Sequence, residues 1–135
     1  MDLDKSLNIS AAGMRAQGSR LRVIAENIAN SNSTAQTPGG EPYRRKLVTF
    51  ENVLDRALGV ETVRVDSIVN DRGSFGRRFE PGHPAADEDG YVLTPNVNTL
   101  MEMADMREAQ RSYEANLKAI ETSRAMLQKT IDILR

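Results

Sequence analysis

Leu7, Met14, Leu21 and Ile28 recur every seven residues near the start of the chain, with Leu3 and Ile24 at adjoining d-type positions. That spacing puts aliphatic side chains on one narrow helical stripe, the seam of a coiled coil. Ser10 and Gln17 interrupt the d row, while Ala11, Ala12, Ala16, Ala25 and Ala29 add small residues of high helix propensity. Gly13 and Gly18 each cost about 1 kcal/mol relative to Ala in a helix interior. Each is therefore a tolerated defect or a place where another backbone comes close. The polar run Asn30-Ser31-Asn32-Ser33 ends the predicted helix.

The other end repeats the pattern. Met106, Tyr113, Ile120, Leu127 and Leu134 hold one register, with Met103, Leu117 and Ile131 at d positions and Gln110 and Arg124 as interruptions. Asn98 or Thr99 suits an N-cap, with Glu102 placed to reach back to it, and Glu114 precedes Lys118 by four residues. The predicted helices are roughly 42 Å and 54 Å long at 1.5 Å per residue. Such long heptad runs point to a coiled coil, and nothing between them supplies further helices to cover the seams. The expected assembly interface is Leu7, Met14, Leu21, Ile24, Ile28, Met106, Tyr113, Leu117, Ile120, Leu127, Ile131 and Leu134, pairing the termini with each other and with other chains.

The middle follows a different pattern. Tyr43 to Phe50 reads as a strand and Glu51 to Leu58 as a short helix. Val63 and Val65 alternate with polar residues. Asn70-Asp71-Arg72-Gly73 then reads as the turn of a hairpin, with Phe75 to Phe79 as its returning strand. The expected class is α+β: long N- and C-terminal heptad helices in a coiled-coil-like domain, with a small β-rich middle segment. The boundaries are 1–33 and 96–135 for the assembly helices, which form one discontinuous domain, and 34–95 for the middle region.

Composition sharpens this division. Of six aromatics in 135 residues, Tyr43, Phe50, Phe75, Phe79 and Tyr91 lie in the middle, and all five prolines fall between Pro38 and Pro95. Rings supply the largest burial per residue, so the ends have little with which to build a core of their own. A net charge of −1 argues against a dedicated nucleic-acid binder. Zero cysteines exclude disulfides and thiolate metal sites. No stretch has the length of apolar residues needed to span a membrane, and Met1 to Lys5 lacks the features of a secretory signal peptide, so none is expected.

Candidate chemistry is sparse. His83 is the single histidine, set between Gly82 and Pro84 in a predicted loop. Asp87-Glu88-Asp89-Gly90 has the flavour of a calcium loop, yet alignment with an EF-hand puts Ala85 at the first ligand position and Asn96 at the last. An acidic turn is the better reading. Thr37-Pro38-Gly39-Gly40 before Arg44-Arg45-Lys46 lacks the phosphate-loop pattern. The three cations, with Arg77 and Arg78, offer at most a weak DNA-binding patch, because strand alternation separates Arg45 from Arg44 and Lys46. No nucleophile elbow or zinc pair is present. No enzyme activity, cofactor, metal or nucleic-acid partner is expected, and a cytosolic coiled-coil adaptor or secretion chaperone is the alternative class.

Several motifs together resemble the bacterial flagellar rod proteins. Asn27-Ile28-Ala29-Asn30, then Thr37-Pro38-Gly39-Gly40-Glu41-Pro42-Tyr43-Arg44-Arg45-Lys46, is similar to their N-terminal signature, in the form carried by proximal-rod members. Glu80-Pro81-Gly82-His83-Pro84, Asp89-Gly90-Tyr91-Val92, Pro95-Asn96-Val97-Asn98 and Arg111-Ser112-Tyr113-Glu114-Ala115-Asn116 fit as well, although Ala104 stands where a more polar or β-branched residue is expected. The resemblance implies a structural subunit of the flagellar basal body, serving motility. Its helices would pack into a tube around the export channel, with the middle facing outward, in a periplasmic drive shaft that transmits torque. It also implies export by the flagellar type III apparatus without a cleaved signal, and no direct membrane insertion. The implied partners are copies of itself, other rod proteins, the rod base at the inner-membrane ring and that export apparatus. The short middle fits the proximal rod better than a distal-rod or hook subunit. Seams this narrow further suggest that the terminal helices become ordered on assembly.

Overall fold

Both heptad stretches are helical over close to the expected spans in the computed structural model, which describes residues 2–135. The order is α1 (Leu3–Ala29), β1 (Lys46–Asp55), β2 (Val60–Asn70), β3 (Gly76–Phe79), β4 (Tyr91–Thr94) and α2 (Thr99–Leu134), an α+β fold. The polar run after α1 satisfies its last carbonyls: the Asn30 amide donates to Glu26 O and the Ser31 hydroxyl to Ile28 O. Asn98 caps α2, its Oδ1 accepting the backbone N–H groups of Leu100 and Met101 at 3.1 and 3.4 Å. Glu102 does not reach back to close a capping box; its carboxylate is buried among other partners.

The chain divides into two compact units, one of Met1–Leu21, Val48–Ser67 and Arg107–Arg135, the other of Arg22–Leu47 and Ile68–Met106. In the first, the lower part of α1 meets the upper part of α2 in antiparallel fashion. Ser6 Oγ lies 3.3 Å from Ser123 Oγ, and Arg20 pairs with Glu108 at 3.4 Å. Between them Gly13 faces Asn116 so closely that a Cβ would stand 2.8 Å from its amide nitrogen. Ala12, Ala16 and Ala109 are buried with Ser10 and Ser123. The contact therefore uses small and polar residues. The aliphatic seam flanks it, with Leu7, Met14, Leu21, Tyr113 and Ile120 half-buried and Leu117, Leu127, Ile131 and Leu134 exposed.

The β1–β2 hairpin corrects two expectations. Glu51 to Asp55 is the end of β1 rather than a helix, and the chain turns at once: Gly59 N donates to Asp55 O at 2.8 Å, with Gly59 at φ 66°. Asp55 Oδ1 also accepts from Ala57 and Leu58, an aspartate turn that overrides the helical spacing. Asn70 to Gly73 does not turn a hairpin, because β2 pairs with β1 and β3 with β4. In place of a tight turn, Asp71 N donates to Arg45 O, and the Asn96 amide donates to the carbonyls of Asp71 and Gly73.

The second unit has a different interior. Val23, Ile24 and Val92, with Pro42 and Pro95, supply its buried apolar side chains, and the largest fully buried ones are Glu102, Val92 and Asn27. Two of those three are polar. The β3–β4 pair is antiparallel, running from Gly76 opposite Thr94 to Phe79 opposite Tyr91.

The two helix glycines differ in a testable way. Gly13→Ala forces the Asn116 amide to move, at a cost of about 1–3 kcal/mol. A gain of about 1 kcal/mol in helix propensity partly offsets this, so the variant is expected to destabilise the chain by up to about 2 kcal/mol. Nothing lies within 4 Å of a Cβ at Gly18, so Gly18→Ala is expected to stabilise it by up to about 1 kcal/mol. Urea unfolding followed by circular dichroism reads both; equal signs would contradict this packing.

Candidate functional site

Asn27 lies near the end of α1 and is 1% exposed. Its Oδ1 accepts the Lys46 backbone N–H at 2.9 Å and the Tyr43 hydroxyl at 2.8 Å. Its Nδ2 donates to Lys46 O at 2.9 Å and to Glu102 Oε2 at 3.2 Å. All four hydrogen-bonding positions of the amide are filled. Toward Lys46 the side chain acts as a neighbouring strand would, pairing with both peptide groups where β1 begins.

Glu102 is also 1% exposed and accepts from Arg45 Nε as well as from Asn27. A buried carboxylate is tolerable only when paired and hydrogen-bonded. Arg45 spreads its guanidinium over three acids, reaching Asp71 at 3.3 Å and Asp105 at 3.7 Å besides Glu102. Its own backbone N–H donates to Asn96 Oδ1 at 2.8 Å. Burial works to lower the Arg45 pKa, but the hydrogen bonds and charges of Glu102 and Asp71 outweigh it, so the net shift is upward. Burial likewise raises the Tyr43 pKa, keeping its hydroxyl a donor to Asn27.

The other signature residues sit around this clamp. Arg44 stacks over the Phe75 ring at 4.2 Å and donates to the carbonyls of Asp71 and Gly73. Lys46 pairs with Glu26 at 3.1 Å. Each cation weighed for a DNA-binding patch is thus engaged within the chain. Gly40 N donates to Thr37 O across the Thr37-Pro38-Gly39-Gly40 turn, and Pro42 is buried. His83 accepts the Ala85 N–H at Nδ1, and its Nε2 lies 3.0 Å from Thr34 Oγ1, so it ties loops together. Asp87 Oδ1 accepts from Asp89 and Tyr91, an acidic turn. Among the described residues no cluster of acids and histidine could hold a metal, and no helix is long and apolar enough to cross a membrane.

The expected seam residues fall partly elsewhere. Ile24 is the one fully buried member, in the second unit, where Ile28 and Met106 are half-buried. In the first unit Met14, Tyr113 and Ile120, with Ala11, Arg15 and Gly18, line an open groove of about 390 Å³. Asn116 supports Gly13, whereas Glu114 is exposed. Sequence reasoning missed Glu102, Asp71 and Asn96 as clamp residues. A signal existed: Ser6, Gly13, Arg20 and Asn27 form a second heptad row on α1, and Glu102, Ala109, Asn116 and Ser123 form one on α2.

Two outcomes test the clamp. Glu102→Ala takes from Arg45 the most buried of its three acids and leaves one Asn27 donor unpaired. It is expected to cost about 3 kcal/mol in urea unfolding, whereas replacing both Glu102 and Arg45 by Met costs less. The hydrogen bond from Gly73 N and, against a smaller opposing effect of burial, the Arg45 guanidinium hold the Asp71 carboxyl below its ordinary 3.8. The unfolded chain therefore binds that proton first. The stabilisation is present above pH 3.8 and is lost as pH falls through the lower folded value. Acid titration of Asp71→Asn should lack this part of the loss.

Comparison with known proteins agrees with the signature. Residues 88–133 match the family described as flagellar basal body rod FlgEFG protein C-terminal. A flagellar basal-body rod protein FlgC of Agrobacterium fabrum is 52% identical over 98% of this chain and 96% of the relative. Proteins of the same name from Borreliella burgdorferi and Salmonella typhimurium are 39% and 38% identical, over 100% and 98% of this chain and 99% and 98% of theirs. The chain belongs to the FlgC family of flagellar basal-body rod proteins.

Proposed function

We propose that this rod protein is a subunit of the proximal rod that self-assembles and co-assembles with other rod proteins through α1 and α2. The observation that carries the reading is the groove beside the helix pair. α1 and α2 use their small and polar rows for each other, which leaves the aliphatic rows unspent. Met14, Tyr113 and Ile120 line an open groove, and Gly18 beside it keeps a cost of about 1 kcal/mol although, among the described residues, no packing neighbour lies within 4 Å of where its Cβ would stand. A glycine there suits the close approach of a third helix from a neighbouring subunit. Leu117 continues the α2 row and would be covered in the same way.

In this reading residues 1–33 and 96–135 act as one assembly domain, and 34–95 as a spacer toward the outside. The assembled helices enclose the export channel in a periplasmic shaft that carries torque from the rod base at the inner-membrane ring. The subunit reaches its place through the flagellar type III export apparatus, with no cleaved signal. Its work is mechanical, and no catalytic step is assigned to it. Residues 124–135 are exposed throughout and would become ordered against neighbours as the rod grows.

Ile120→Asp puts a charge in the groove without touching Asn27 or Glu102. The expected outcome is a chain with the wild-type circular dichroism spectrum that forms no rods and leaves cells non-motile. Normal swimming would remove the groove from the assembly.

A further inference from the structure

We propose that the outer face of the β3–β4 hairpin receives the last turns of α2 from a second copy of this chain. The proposal rests on the assembly reading in taking its occupant from another subunit, but it uses a different surface. Val92 is buried on the inner face of the hairpin, so Arg77, Phe79, Tyr91 and Leu93 share the outer one. Phe79 is 61% exposed and meets Tyr91 edge to face, ring centroids 5.3 Å apart. Tyr91 and Leu93 are exposed too. A chain with six aromatics that leaves two side by side on an open face presents a surface for a partner. A hollow of about 280 Å³ runs alongside, between Tyr91, Leu93, Gly39, Gly40 and Ala85.

Charge selects the occupant. Asp87 pairs with Arg77 at 3.5 Å, while Glu88 and Asp89 next to it are exposed and have no cation partner among the described residues. Arg77 itself lies over the Tyr91 ring at 4.5 Å and is neutralised by Asp87, which leaves the charge of Glu88 and Asp89 unspent. The end of α2 is the complement: Ile133 and Leu134 are 83% and 81% exposed. Arg124, Lys129 and Arg135 have no acidic partner among the described residues, and the one acid, Asp132, accepts a hydrogen bond from Gln128. The groove beside Met14 is a poorer receptor for this segment, because Arg15 lines it with charge of the same sign and, unlike Arg77, has no acidic partner among the described residues. The contact joins unlike surfaces of two copies, so it does not close on itself and can propagate.

The test is a fluorescein-labelled peptide of residues 122–135 titrated with the full-length chain and read by anisotropy. Saturable binding that weakens with added salt is expected. A Glu88→Lys, Asp89→Lys double variant, altered only at an exposed turn, should bind about tenfold more weakly. A peptide carrying Arg124→Glu, Lys129→Glu and Arg135→Glu should regain binding to that variant. Absence of saturable binding, or binding indifferent to the double variant, overturns the proposal. Peptide binding that survives the double variant but is lost in Ile120→Asp puts the segment in the groove, so that the helix reading stands and this one falls. Charge-swap rescue alongside normal rod assembly by Ile120→Asp would do the reverse.

Discussion

A buried side-chain amide with all four hydrogen bonds made is the constraint on which the second unit depends. Asn27 cannot be satisfied by α1 alone, because a helix interior can lend a carbonyl to an amide nitrogen but has no N–H to spare for the amide oxygen. It takes both peptide groups of Lys46, the Tyr43 hydroxyl and the Glu102 carboxylate. With Asn27 itself these come from three separate stretches of sequence, so filling one amide sets the exit of α1, the start of β1 and the first turn of α2. Arg45 then neutralises Glu102 and brings in Asp71 and Asp105. With Val23, Ile24, Val92, Pro42 and Pro95 as its buried apolar side chains, this unit takes much of its definition from polar geometry. An unfilled member of such a network would be costly, which makes the arrangement specific.

That dependence gives the family signature a physical meaning. Asn27, Tyr43 and Arg45 are clamp members, Arg44 braces the segment from Asp71 to Gly73 against Phe75, and Thr37 to Gly40 forms the turn between them. Asn116 belongs to the same design in the first unit, filling the space that Gly13 leaves. Residues that look like a basic patch or a glycine-rich loop when read locally are spent on holding distant segments together.

The two helices were legible because their seven-residue period is strong and their caps are polar. Which row faces inward was not. Aliphatic residues draw attention as a core, yet the intramolecular contact runs along Ser6, Gly13 and Arg20 against Ser123, Asn116 and Glu108, since closely approaching helices favour small side chains. The aspartate turn at Asp55 is a side chain to backbone arrangement two and three residues on, which hydrophobic spacing does not register, and Asn96 holds Asp71 and Gly73 by bonds across the fold. Local spacing therefore assigned Glu51 to Leu58 to a helix and Asn70 to Gly73 to a hairpin. Glu102 suited a capping box by position; its burial beside Asn27 is a tertiary fact, beyond any local pattern.

Ser6 meets Ser123 across 117 positions of sequence, and half of the apolar groove comes from Tyr113 and Ile120. The first unit therefore cannot close until nearly the last of the chain is free to return to its beginning, a loop closure among the longest available to 135 residues. A molecule whose α2 has not yet docked on α1 exposes half a groove and can hold no partner in it. Docking of α2 on α1 is thus the step that makes the groove whole, and any partner that fits it is admitted only after that step.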